Sequence, residues 1–162
     1  MPGTQSDHRV LHFNTVADCR EEVRRILAAE EAGQLQSTGN WTAGQNLSHV
    51  AAWIEYAYEG FPVKPPPFFV RWILRWQLPK MLKSSMPRGV KIPGVPGGTT
   101  GMDDVPVDQA GARLLAALDR LESNENAPYT SPAFGDMSHV DRVQLNLRHA
   151  ELHLGFLSYP EN

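Results

Sequence analysis

The chain has 162 residues, of which 41% are hydrophobic, 9% aromatic and 20% charged, enough for one domain that buries roughly 70% of its unfolded surface without staples. A single cysteine, Cys19, excludes an internal disulfide framework and a Cys-rich zinc site. Fifteen Lys+Arg against eighteen Asp+Glu give a formal charge of −3, which speaks against a general nucleic-acid binder.

No targeting signal stands out. Met1 to His12 is polar and lacks the apolar stretch of a signal peptide. The best apolar run, Phe68 to Leu78, is cut by Arg71 and Arg75 and falls short of the roughly 20 residues of a membrane span. The expectation is one cytoplasmic domain over 1–162, with no membrane span.

In chain order, the first helix is predicted from about Val16 to Ala32. Thr15, three residues before Asp18, reads as a capping box, and Cys19, Val23, Ile26 and Leu27 form one apolar stripe ending at Gly33. A second helix starts after Trp41, with Thr42 as cap and Gln45 three residues on, and stops at Tyr58 or Glu59 before Gly60 and Pro62.

From residue 60 to 102 there is no Asp or Glu, yet there are seven bases: Lys64, Arg71, Arg75, Lys80, Lys83, Arg88 and Lys91. Outside that segment eight bases face eighteen acids, so the chain is electrically lopsided. Within it, Phe68 to Trp76 predicts a short helix ending near Pro79, and Pro87 to Gly101 predicts a loop. A further helix fits Pro106 to Leu121, with Leu114, Leu118 and Leu121 on one face, followed by a loop from Asn124 to Gly135. The last helix starts at Ser138, with Asp141 three residues on, and runs to about Ser158. No run alternates over a strand's length. The expected fold class is all-α: a four-helix bundle with an additional short helix and a long Pro/Gly-rich loop between bundle helices two and three.

Three histidines carry the candidate chemistry. His149 and His153 are four apart on the last helix, so their imidazoles leave one face a turn apart. His49 lies on the second helix, and facing helices of a bundle can supply ligands to one ion. Three ligands would leave a fourth position for water or substrate, the open pattern of a catalytic site. The plainer reading is that these are buried or surface histidines with ordinary hydrogen bonds; the sequence alone does not bring helix two against the last helix.

Two stretches then carry a resemblance: Trp41-Thr42-Ala43-Gly44-Gln45-Asn46-Leu47-Ser48-His49, and Arg148-His149-Ala150-Glu151-Leu152-His153-Leu154-Gly155-Phe156. The chain resembles the DinB/YfiT-like superfamily of metal-binding four-helix bundles, in an uncharacterised branch with a basic, aromatic insertion after the second helix. The resemblance implies that His49, His149 and His153 hold one divalent ion. Neutral imidazoles suit zinc first, and nickel or iron next. It also implies a small-molecule substrate and, from activities known in the superfamily, a thiol-dependent transferase or isomerase using a low-molecular-weight thiol. Leu154 and Phe156 stand where many relatives carry Arg and Gln, which removes polar groups available there to handle substrate.

Asn146, three residues before His149 on the same face, is the candidate to hold an imidazole or a bound water, or else a polar neighbour turned to solvent. His8 and His12 read as solvated. Cys19 reads as a buried, inert thiol. The basic aromatic segment admits three readings. Arg71 and Arg75 could contact an anionic cosubstrate near the metal, or lie with Trp72 and Trp76 on an anionic membrane surface. In the third, Trp72, Leu74 and Trp76 cover the bundle while the bases stay in water. The same segment is the candidate surface for a homodimer, and the alternative to an enzyme is a non-catalytic binding module built on it.

Overall fold

The computed structural model describes residues 8–160; the polar start read at Met1 to Asp7 lies outside them. The chain is mostly helical, with five α-helices among the described residues: α1 (Val16–Glu31), α2 (Ala43–Glu59), α3 (Phe68–Met81), α4 (Val107–Glu122) and α5 (His139–Leu154). A two-stranded antiparallel sheet joins β1 (Gln36–Ser37) to β2 (Leu157–Ser158), pairing Gln36 with Ser158 and Ser37 with Leu157.

The helix starts follow local chemistry. The Thr15 hydroxyl accepts from the Asp18 amide while the Asp18 carboxylate accepts from the Thr15 amide, and Thr42 and Gln45 repeat the arrangement at α2. Each box satisfies two amides that the first turn leaves without partners. At α5 the Ser138 hydroxyl accepts from the Asp141 amide.

Helix α2 packs against α4 and α5, and α1 packs against the same two. Their shared interior holds the predicted Cys19, Val23 and Ile26 from α1 and Leu114, Leu118 and Leu121 from α4, together with Leu47, Val50, Ile54, Leu147 and Leu154 from the two histidine-bearing helices. Burial of this kind stabilises by about 25 cal/mol per Å² of apolar surface removed from water. Cys19 is fully buried and its thiol is pushed up to about 12, chiefly by burial, so it stays protonated and inert.

Four expectations are corrected. Helix α3 does not stop at Pro79 but continues to Met81. So close to the end of a helix the proline removes one amide donor, and the next turn closes again through the Leu82 amide on the Leu78 carbonyl, 3.0 Å. Helix α5 ends at Leu154 rather than Ser158, because Leu157 and Ser158 pair with β1 as a strand. At the break, Gly155 lies against the N-terminal segment so tightly that a Cβ there would sit 2.6 Å from the Arg9 carbonyl oxygen. His8 is not solvated: its Nε2 bonds the Leu152 carbonyl at 2.8 Å and its ring meets Phe156 edge-on. Finally, Trp72 and Trp76 do not cover the bundle. They are 72% and 76% exposed, and α3 turns Leu74 and Leu78 inward instead.

The segment before α4 matters for the site. It runs along α2, where Gly101 (φ +81°) leaves no room for a side chain: a Cβ would meet the Ala52 Cβ at 2.6 Å and the Tyr56 hydroxyl at 2.8 Å. A residue with both that backbone conformation and that clearance must be glycine.

Candidate metal centre

The Thr42 box fixes the start of α2, which places His49 in its second turn and Trp53 one turn further on the same face. The Ser138 cap fixes α5, which presents His149 and His153 to α2. The three side chains meet. Ring centroids lie 4.4 Å apart for His49–His153, 4.7 Å for His149–His153 and 4.9 Å for His49–His149. One ligand-capable nitrogen from each falls within 4.8 Å of the others.

His49 Nε2 and His149 Nε2 lie 3.2 Å apart. Two nitrogens bound tetrahedrally to one zinc at about 2.1 Å would be about 3.4 Å apart, so this spacing fits a shared ion. The His49 Nδ1–H donates to the Thr100 carbonyl oxygen at 2.7 Å. That bond fixes the tautomer and leaves the Nε2 lone pair facing the other rings. His153 Nδ1 is buried and has no hydrogen-bond partner among the described residues, so no protein group holds that ring's tautomer. No carboxylate or thiol joins the cluster among the described residues.

Two indoles wall the cluster. Trp41 stacks on His153 with an interplanar angle of 7° at 5.3 Å and meets His49 edge-on at 5.0 Å. Trp53 stands edge-on to both His49 and His149 at 6.0 Å. They hold the ring planes and keep water from the flanks.

Burial disfavours a charged imidazole here. His49 is lowered to about 4, mainly by burial, with the Thr100 bond acting in the opposite sense. His153 is lowered to about 3 by burial and then by His49 and His8. His149 is held well below its ordinary value by burial and then by its two partners. All three are therefore neutral at pH 7, the form that ligates. Zinc affinity of the folded protein should accordingly hardly change between pH 7 and pH 5. Three ordinary imidazoles would lose more than about a thousandfold over the same span through protonation. Zinc competition with a chromophoric chelator at the two pH values checks this.

The structure brings together His49, His149 and His153. Asn146 donates its side-chain amide to the Arg142 carbonyl at 2.9 Å, within its own helix, rather than to an imidazole. Arg75 donates to the Phe134 and Asp136 carbonyls at 2.7 and 2.9 Å, and so pins the turn before α5. Arg71 lies beside it, and both line a cleft of about 360 Å³ with Phe68, Trp72 and Gly135. No histidine lines that cleft. Sequence reasoning missed two contributors. Trp53, at i+4 from His49, could have been found by helical spacing; Thr100 carried only the signal of the glycine that follows it.

Fold and site together define a helical protein with three imidazoles able to hold a metal ion between its second and last helices. The chain belongs to DUF1569, a family of proteins of unknown function, whose model matches residues 5–159. No curated protein and no solved structure matches it.

Proposed function

We propose that this chain is a divalent-metal-dependent enzyme of the DinB-like type: a four-helix bundle of α1, α2, α4 and α5, with α3 inserted, that binds one ion through His49, His149 and His153. The observation that carries this reading is the 3.2 Å approach of His49 Nε2 to His149 Nε2, with Thr100 holding the His49 tautomer that points its lone pair inward. Zinc is the first candidate, with nickel or iron next. Bound there, the ion would supply Lewis acidity and lower the proton affinity of a water or thiol at its open position. The chain's own residues orient that position: Thr100 sets the His49 ring, Trp41 sets the His153 ring, and Trp53 closes the side between α2 and α5.

With no carboxylate in the cluster among the described residues to act as a general base, a substrate that reacts as its own thiolate suits the site better than a water that must be deprotonated. The proposed reaction is thus transfer to, or isomerisation assisted by, a low-molecular-weight thiol. Elemental analysis of the untagged protein after incubation with zinc, nickel and iron should find about one ion per chain, as a single mononuclear site requires. Free-thiol loss with electrophilic small molecules should then depend on that ion. Absence of bound metal overturns the enzyme reading. Bound metal without metal-dependent thiol consumption overturns the thiol reading and leaves the metal site standing.

A further inference from the structure

Helix α3 is apolar on two sides. Val70, Leu74, Leu78 and Met81 are buried or half-buried. On the far side Phe68, Phe69, Trp72, Ile73 and Trp76 are exposed, from 45% for Ile73 to 83% for Phe68. At 100° per residue these five fall within an arc of about 140°, one continuous strip. A large aromatic side chain offers 150–250 Å², so the strip presents on the order of 500 Å², near the upper end for a monomer and a mark of an interaction surface.

The charge around the strip selects its partner. Lys64, Lys80, Lys83, Arg88 and Lys91 are all exposed, and the whole segment from 60 to 102 contains no acid. Elsewhere several arginines are matched by acids: Arg20 to Asp119 and Glu122, Arg113 to Glu55, Arg120 to Glu59. A second copy laid α3 on α3 would bring like charges together with no acid to offset them. Apolar side chains in a strip with cations at its edges and ends match the layout of a helix lying in the plane of a lipid headgroup layer. Fourteen residues span about 21 Å, and no helix among the described residues is long and apolar enough to cross a membrane.

We propose that α3 seats this protein on an anionic bilayer surface. Phe68, Phe69, Trp72, Ile73 and Trp76 enter the headgroup–acyl boundary, and the surrounding lysines and Arg88 meet the lipid phosphates. The proposal is independent of the metal centre.

The test is co-sedimentation of the full chain with phosphatidylcholine vesicles, with and without about 30 mol% phosphatidylglycerol. Binding is expected at low salt to the anionic vesicles, at least about tenfold weaker to the neutral ones, and lost near 0.5 M salt, roughly where screening reaches a few Å. The variant W72Q/W76Q, altered only at exposed positions, should keep its helical circular dichroism and lose binding by about tenfold or more. His149→Ala/His153→Ala should bind vesicles like wild type, so failure here and failure of the metal reading are separable. The proposal is overturned by no binding to anionic vesicles at low salt, or by binding that W72Q/W76Q retains. A dimer in analytical ultracentrifugation that W72Q/W76Q dissociates, without vesicle binding, overturns it in favour of a second copy.

Discussion

Replacing both His149 and His153 with alanine is expected to remove the bound ion, with zinc affinity falling by at least about a thousandfold, while the helical circular dichroism is unchanged. One remaining imidazole cannot chelate, so the loss should be near total. The fold should survive because neither ring is part of the apolar interior, and His153 Nδ1 is already a buried atom without a partner. The sharper readout is acid stability of the metal-free proteins. The folded-state imidazoles titrate near 4 for His49, near 3 for His153 and low for His149, against about 6.5 unfolded. Between those values the unfolded chain binds more protons, so stability is full above pH 6.5 and falls as the pH is lowered. Each such group contributes up to about 1.4 kcal/mol per pH unit. The double variant lacks two of the three and should unfold at lower pH than metal-free wild type. Equal acid midpoints, followed by circular dichroism, would contradict the burial of these rings.

Glu151→Ala is expected to be the most damaging single change outside the centre, costing about 3–5 kcal/mol. Glu151 and Arg148 are both buried and pair at 2.8 Å within α5. Together they grip the backbone of Phe13: its amide donates to Glu151 at 2.6 Å, and its carbonyl accepts from Arg148. Removing the carboxylate leaves a buried guanidinium without its counter-charge and a buried amide without its acceptor. Glu151→Gln keeps an acceptor and should lose less. Denaturant unfolding of the two variants separates the charge from the hydrogen bond.

What was legible in the sequence was whatever depends on nearby residues. The Thr15–Asp18 and Thr42–Gln45 boxes need only three-residue spacing, and both form. The i,i+4 spacing of His149 and His153 needs only helical pitch. Thr100 was not legible, because its carbonyl meets His49 across 51 residues of chain and any residue type has a carbonyl to offer. The exposure of Trp72 and Trp76 was hidden for another reason. With apolar residues on both sides of α3, periodicity does not say which side faces in. Pro79 misled by two residues: it has no amide to donate, but the amides after it are intact, and the Leu82 amide still closes on the Leu78 carbonyl as α3 ends at Met81.

The separation of the ligands has a consequence for how the protein is made. His49 and His149 are 100 residues apart, and the last helix also supplies Leu147, Ala150 and Leu154 to the interior. On the ribosome, a nascent chain that has released α1 through α4 owns one imidazole of the three. A zinc finger gathers its metal to fold; here the order is reversed. On the proposed reading, α5 must dock on α2 before an ion meets all three ligands, because His149 and His153 alone offer two, so a fully held ion marks a chain that has finished folding.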